Sequence, residues 1–222
     1  MSLQAYHKRA PLRLMLLGEG ECGKGTFCEH LEEHYAISSM STSLMSSKLF
    51  MFDKLKDKYG YKTPEECHAD RRNHRQEWYE GIYEFNTPNL TRLAQRIYER
   101  YDLCDGVRHA EEFGEIKSKG MFDLSIWLDA GERTDGEDAS SISVTRNMAD
   151  VILDNSTTVN DFTARIDRFM LTMGFTKFGV YKGYTLIPNE DGQVFIAKHA
   201  TILDGAISLK EAEQIIDEKW AA

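Results

Sequence analysis

No feature constrains this chain as tightly as the stretch Gly18-Glu-Gly-Glu-Cys-Gly-Lys-Gly-Thr26. An apolar run, Leu12 to Leu17, precedes it, and Phe27, Leu31 and Tyr35 follow at helical spacing. The order is strand, glycine-rich turn, helix, and the interval from Gly18 to Lys24 is that of a phosphate-binding loop. The reason is geometric. Glycines let several backbone N–H groups point into one concavity, the helix start adds partial positive charge, and the lysine adds a full one. Polyphosphate is the natural occupant, so Gly18, Gly20, Cys22, Gly23, Lys24, Gly25 and Thr26 are candidate binding residues. The general pattern places Ser or Thr directly after the lysine to hold Mg²⁺. Here Gly25 stands in that slot, so a metal would be held mainly through phosphate and water. Glu19 and Glu21 bring negative charge into the loop and must point away from the phosphates or be offset by nearby arginines.

The 222 residues, 41% hydrophobic and 28% charged, suit one globular core with a small appendage. A net charge of −9 argues against broad nucleic-acid binding and against duplex DNA as a partner. The four cysteines, Cys22, Cys28, Cys67 and Cys104, form no CxxC pair and no metal-ligand spacing, which predicts reduced thiols in a cytoplasmic protein. No run approaches the roughly 18 apolar residues a membrane helix needs, and the first residues lack a signal-peptide core.

Residues 1–11 read as a tail. Leu12 to Leu17 predicts a buried parallel strand, and Ala36-Ile37 a short second one. Leu44, Met45, Leu49, Phe52 and Leu55 predict a helix that Gly60 stops. Thr63-Pro64-Glu65-Glu66 is a helix start with a capping residue, a proline at the first position and a capping-box glutamate. The helix it opens carries Arg71, Arg75, Trp78 and Ile82 on one face, with Arg72, Gln76, Tyr79 and Tyr83 on a neighbouring stripe. A surface that changes from guanidinium to aromatic suits a nucleotide; a solvated basic turn followed by core aromatics fits the pattern as well. Further helices are predicted after Asn86-Thr87-Pro88, over Glu111 to Lys119, and after a Thr158/Asp161 cap. Further strands are predicted at Asp102 to Asp105, Phe122 to Leu128 and Val151 to Leu153.

Alternating strands and helices imply a parallel sheet covered on both faces. Ligands of such sheets sit outside the carboxyl ends of the strands. That rule gathers Gly18 to Thr26, Ser38 to Thr42, Asp105 to Arg108, Asp129 to Arg133 and Asn155 to Thr157 around one cleft. Within it, Lys24 and the loop amides suit the β- and γ-phosphates of a donor, Asp105 can organise Mg²⁺ through water, and Arg108 can fork onto an acceptor phosphate. After residue 176 the pattern changes. Val180 to Ile187, Val194 to Ala197 and Thr201 to Leu203 read as three strands, with Ser208 and Glu211 capping a final helix. This βββα unit, residues 177–222, is near the lower size limit for independent folding. It is expected to lean on the first domain, residues 12–176, or on a second copy in a homodimer.

GEGECGKGT resembles the GxxGxGKGT loop of nucleoside monophosphate kinases, departing from it at Glu21, where that loop has glycine. Asp105-Gly-Val-Arg108 resembles the family's DGFPR segment, shortened by one residue, and Ile37 to Ser41 is a weaker echo of its acceptor-binding IST segment. Arg72-x-x-Arg75-Gln-x-Trp78, Ile126 to Ala130, and Ala149-Asp-x-x-Leu-Asp-Asn155 look more like the phage-type deoxynucleoside monophosphate kinases. The resemblance covers about Leu12 to Met173. It implies a P-loop NTPase fold, a three-layer α/β/α sandwich with five parallel strands in the order 2-3-1-4-5, and the Mg²⁺-dependent reaction dNMP + ATP → dNDP + ADP in the cytoplasm. It also implies that Ser39, Arg72, Arg75 and Arg108 hold the acceptor and that Trp78 or Tyr79 flanks its base. Arg133 and Arg146 would bracket the transferring phosphoryl from a short lid, and Asn155 and Thr157 would lie near the donor adenine. Thr134 to Asp138, acidic and short, departs from the arginine-rich lids of the family. Two alternatives keep the loop but change the role: a kinase of another small acceptor or modified nucleotide, and a nucleotide-binding regulatory protein without turnover.

Overall fold

The computed structural model describes residues 12–35, 37–133, 142–175, 177, 179–188, 193–198, 201–206 and 208–220. The predicted tail, the acidic stretch Thr134 to Asp138 and the turn Asn189 to Gly192 lie outside them. Five strands, β1 (Leu14–Leu17), β2 (Ser39–Ser41), β3 (Leu103–Asp105), β4 (Leu124–Asp129) and β5 (Val151–Asp154), form one parallel sheet in the order β2-β3-β1-β4-β5. With helices intervening between the strands, this is the fold class that the sequence predicts. β1 is central and buried along its whole length, as its unbroken apolar run requires.

The second strand is displaced from its predicted place. β2 begins at Ser39 rather than Ala36-Ile37, and Ala36 lies outside the described residues. Ser38, just before it, donates from its amide (3.0 Å) and hydroxyl (2.7 Å) to Asp102 Oδ2, which sets the register of β2 on β3. Only Met40 of this strand is buried, so hydrophobic pattern could not mark it.

α1 (Lys24–Tyr35) follows the loop. α2 (Thr42–Ser46), a π-helical turn over Ser47–Met51, and α3 (Phe52–Tyr59) form one run that ends at Gly60 in the left-handed conformation, φ 77°. α4 (Pro64–Ala69) is capped by the Thr63 hydroxyl, which accepts from Glu66 N at 3.1 Å. The predicted continuous helix is then interrupted. Asp70–His74 is 3₁₀, and α5 (Arg75–Asn86) starts anew beyond His74, whose ψ is 37°. Asp70 is the cause: it accepts from Tyr61 Oη, Asn73 Nδ2 and His74 Nε2, local bonds that compete with the α-helical ladder. Arg71 and Arg75 therefore do not share an unbroken α-helical face.

α6 (Arg92–Tyr98) and α7 (Ala110–Ser118) complete the helices packed with this sheet's core, in which Met15, Leu17, Leu93, Ile97, Cys104, Phe113, Ile116 and Trp127 are buried together. Buried Asn86 ties the pieces, donating to Glu112 Oε1 (3.2 Å) and accepting from Leu93 N (3.1 Å).

Residue contacts divide the chain into two compact units, and the division cuts across the linear boundary at 176/177. Among the described residues, one unit takes in 12–24 and those of 38–157; the other takes in those of 25–37 and 158–220. In the second unit α1 meets α8 (Val159–Thr172), with Phe27 and Phe162 ring centroids 6.4 Å apart. Asp167 of α8 accepts from His30 Nε2 (2.6 Å), Tyr35 Oη (2.9 Å) and Lys177 Nζ (2.7 Å). The same unit contains an antiparallel sheet, β6 (Gly179–Tyr181), β7 (Tyr184–Pro188), β8 (Val194–Lys198) and β9 (Thr201–Ala206), followed by α9 (Leu209–Lys219). Where the sequence reading has one strand over Val180 to Ile187, two form. Lys182 (φ 48°) and Gly183 (φ 78°) turn the chain back, so the appendage carries a fourth, short strand. Its helix caps as predicted, Ser208 Oγ accepting from Glu211 N at 3.2 Å. Ala212 and Ile216 are buried against Tyr184, Leu186, Val194 and Ile196.

Candidate active site

The phosphate loop leaves the carboxyl end of β1 through backbone that only certain residues tolerate. Gly18 has φ 141°, and a Cβ there would lie 2.6 Å from Cys22 Sγ and 3.0 Å from the Leu128 carbonyl, so no side chain fits. Gly23 has φ 99°. Glu21 is left-handed as well, at φ 61°, without being glycine; an L-residue there costs about 1–2 kcal/mol. Lys24 opens α1, and its ammonium donates to the carbonyls of Gly18 (2.9 Å) and Glu19 (2.5 Å). Gly25 and Thr26 are the next two residues of that helix. The Cys22 side chain is buried beneath the loop; burial pushes its thiol up and Lys24 opposes the shift. Cys22 thus serves the loop through its backbone.

Three strand ends are tied together behind this loop. Buried Asn155 donates from Nδ2 to the Cys22 carbonyl at 2.8 Å. Its N–H bonds the Asp129 carbonyl (2.7 Å), and its carbonyl accepts from Arg133 Nε (2.8 Å). The amide expected near the donor adenine is thus engaged as a brace for the loop, while Thr157 stands exposed two residues on. Arg146 pairs with Asp129 Oδ2 at 3.0 Å, so both lid arginines are held at the ends of β4 and β5.

On the other side of β1, Asp105 ends β3 in register with Leu16 and with Ser41, the last residue of β2. Ser39 lies two residues earlier on the same short strand, partly buried. Gly106 (φ 91°) follows so close to Thr42 that a Cβ would sit 2.7 Å from its hydroxyl oxygen. The Arg108 carbonyl accepts from Ser143 N (2.9 Å) and Val144 N (3.1 Å), which docks residues 142–145 beside the arginine. Arg71 is partly buried and donates from Nη1 to the His68 carbonyl at 2.9 Å. Burial lowers its affinity for the proton, Arg72 and Arg108 lower it further, and Asp105 acts in the opposite sense. Arg72, Arg108 and Asp105 therefore each lie within electrostatic reach of Arg71. Arg72 itself is exposed and pairs with Glu21 Oε1 at 3.0 Å. Arg75 is exposed at the start of α5.

The two aromatic candidates part company. Trp78 is 5% exposed and packs with Met51, Leu55 and Cys67, its Nε1 buried without a hydrogen-bond partner. Tyr79 is 51% exposed, stacks on Tyr83 at 6.4 Å and meets the edge of His109, the neighbour of Arg108, at 5.7 Å. Of the pair, Tyr79 presents its ring outward.

Sequence reasoning missed two groups. Arg71 was grouped with the face of Arg75 and Trp78 but not among the binding residues. It lies on the 3₁₀ turn, within electrostatic reach of Asp105 and Arg108. The second group is Ser41, Ser43 and His68: Ser43 Oγ lies 3.3 Å from Ser41 Oγ and 2.9 Å from His68 Nε2. Burial first, then Arg71, holds His68 down to about 4, so it is neutral at pH 7. No sequence signal marked this pairing, which spans 25 residues.

Among the described residues, no three His, Cys, Asp or Glu side chains are grouped to hold a metal ion. No helix among them is long and apolar enough to cross a membrane. A cavity of about 420 Å³ lined by Thr87, Pro88, Asn89, Arg92, Gln95, Arg96 and Glu99 includes none of the predicted site residues.

No protein-family model matches the chain, and no curated protein matches it. Among solved structures it is similar to a sugar kinase from Janibacter sp., at 10% identity and TM-score 0.41 over 75% of this chain and 96% of that one. It is also similar to a gluconokinase from Sinorhizobium meliloti, at 13% identity and TM-score 0.40 over 75% and 98%. A shikimate kinase from Aquifex aeolicus matches at 12% identity and TM-score 0.40 over 73% and 96%.

Proposed function

We propose that this protein transfers the terminal phosphoryl group of ATP to a (deoxy)nucleoside 5′-monophosphate. One observation carries the reading: a lysine-bearing phosphate loop at the end of β1 shares the carboxyl edge of the sheet with Asp105, Arg108 and Arg71 on β3 and the segment after β2. A loop of amides plus one lysine accounts for a donor triphosphate. The further guanidinium groups across the strand are in excess of what that triphosphate needs, and planar forks suit a second phosphate. A neutral acceptor would offer these groups no anion to bind.

In this reading Lys24 exchanges its two carbonyl partners for phosphate oxygens, and Arg71 and Arg108 orient the acceptor phosphate. Arg72 joins them, and Arg75 lies on the approach. Tyr79 flanks the base and Ser39 lines the floor, while Arg133 and Arg146 move from the strand ends toward the transferring group. Asn155 acts through Cys22 by keeping the loop open, and Thr157 borders the donor base. Phosphoryl transfer asks chiefly for such positioning and charge neutralisation. A magnesium ion, which neutralises phosphate charge when bound, fits a site poor in protein ligands, because it commonly keeps waters and phosphate oxygens. Asp105 would hold its water shell.

The deciding measurement is ADP release from ATP with each ribo- and deoxynucleoside monophosphate in turn, and with uncharged sugars as controls. Turnover that depends on one or more monophosphates is the expected result. Turnover with sugars alone, or ATP binding without any turnover, would refute the acceptor assignment.

A further inference from the structure

Glu21 is anomalous twice. It occupies a left-handed backbone position, φ 61°, that glycine fills without strain, and it places a carboxylate in a loop built for phosphate. Such an outlier persists when something rewards it. The partner on the page is Arg72, 51 residues away, whose Nη1 lies 3.0 Å from Glu21 Oε1. Arg72 is the chain neighbour of Arg71, on which Asp105 and Arg108 also act. The pair therefore joins the rim of the phosphate loop to the 3₁₀ turn that follows α4, the two segments assigned to donor and acceptor.

We propose that Glu21 is a positioning residue: it fixes the Arg72 guanidinium at the rim of the phosphate loop, so that it meets the acceptor phosphate from the donor side. This rests on the phosphoryl-transfer reading above. An exposed arginine carries considerable rotamer freedom that must be lost when it binds phosphate. A carboxylate that holds it in place beforehand removes part of that cost. Arg72 in turn neutralises the charge that Glu21 would otherwise bring to a triphosphate. Both side chains are well exposed, 61% and 70%, so the effect is modest and screened by salt.

The test has two arms. In the first, the Arg72 side-chain Nε–Hε resonance is compared between wild type and Glu21→Gln in the ligand-free protein. A shift is expected; an unmoved resonance means that the pair does not hold Arg72 in solution and overturns the inference whatever the acceptor. In the second arm, kcat/KM for the most active monophosphate is measured for Glu21→Gln, Arg72→Ala and the double variant, with ATP saturating. Glu21→Gln is expected to lower kcat/KM by about two- to fivefold at low salt, with the loss fading at 0.5 M salt on the order of the screening for exposed pairs. In the Arg72→Ala background the same change should cause no further loss, and removing the carboxylate that Arg72 no longer neutralises should leave kcat/KM equal or higher. Additive losses, or a faster Glu21→Gln enzyme, would overturn the proposal. If wild type responds to no monophosphate, the substrate reading fails, and the resonance arm still decides whether Glu21 positions Arg72.

Discussion

The two edges of the parallel sheet use the same residue types to opposite ends. At the amino-terminal edge, carboxylates close on the neighbouring strand. Asp102 takes the Ser38 amide and hydroxyl, and Asp150 takes the Ser125 amide (2.9 Å) and hydroxyl (2.5 Å) while Lys117 covers it at 2.8 Å. Each serine returns a bond to the aspartate's own N–H, so the groups satisfy one another. At the carboxyl-terminal edge, three cations rest on backbone carbonyls, Lys24 on Gly18 and Glu19, Arg71 on His68 and Arg133 on Asn155, while Arg72 and Arg146 pair with the Glu21 and Asp129 carboxylates. A neutral carbonyl is a partner that a cation can leave for phosphate at small cost. A reciprocal, part-buried clip in which each group satisfies the other is not. One edge ties strand to strand, and the other is where the proposed site gathers its charge.

That contrast can be broken from either side. Lys24→Ala should lower kcat by on the order of 10²–10³, a loss far larger than its effect on the melting temperature. A large fall in melting temperature with retained turnover would reverse the assignment of that edge. Asp150→Ala should behave oppositely. Two bonds to a charged acceptor vanish and Ser125 loses its partner, so urea unfolding should register a loss of about 2–3 kcal/mol with KM values unaltered. The clip also has a pH signature. Burial works against the Asp150 charge, but Lys117 and Ser125 together hold its carboxyl below the usual range. The clip's stabilisation is therefore present above the unfolded carboxylate pKa and is lost as pH falls through the folded one, a dependence that the alanine variant should lack.

A subtler test lies between the edges. Arg71→Ala should raise the acceptor KM about tenfold with the ATP KM unaffected, and Arg71→Lys should restore little of it, because a lysine cannot fork. An effect on ATP alone would move Arg71 to the donor side. The smallest effect is expected at Glu112, which burial raises to about 7 against the opposing bond from Asn86. Its folded pKa lies above the unfolded value, so it favours folding most at low pH, and that contribution declines as pH rises from about 4.5 through 7. Glu112→Gln keeps the bond to Asn86 and should flatten the fall in stability over that interval, as read by melting temperature against pH.

Much of this was legible before any coordinates. The loop's glycines, the Thr63, Thr158 and Ser208 caps and the apolar strands β1, β4 and β5 depend on near neighbours in the chain, and each forms close to its predicted place. The misreadings share a cause: bonds from distant residues. β2 is set by Asp102, 64 residues from Ser38, and its single buried methionine gave no pattern to read. The 3₁₀ break arises at Asp70, which is drawn back to Tyr61, on the far side of the Thr63 cap and outside the helical pattern being read. Trp78 and Tyr79 are adjacent and chemically alike, yet packing buries one and exposes the other.

From the residues alone came the loop, the order of strands and helices, and hence the sheet edge at which charge could gather. Tertiary structure alone decided that Arg71 rests on the His68 carbonyl, that Asn155 bonds the Cys22 carbonyl, and that Glu21 pairs with Arg72. The physical reason is range. Backbone conformation and capping are governed by residues a few positions apart, whereas the aim of a long charged side chain is settled by whichever carbonyl or carboxylate the fold brings within 3 Å of it.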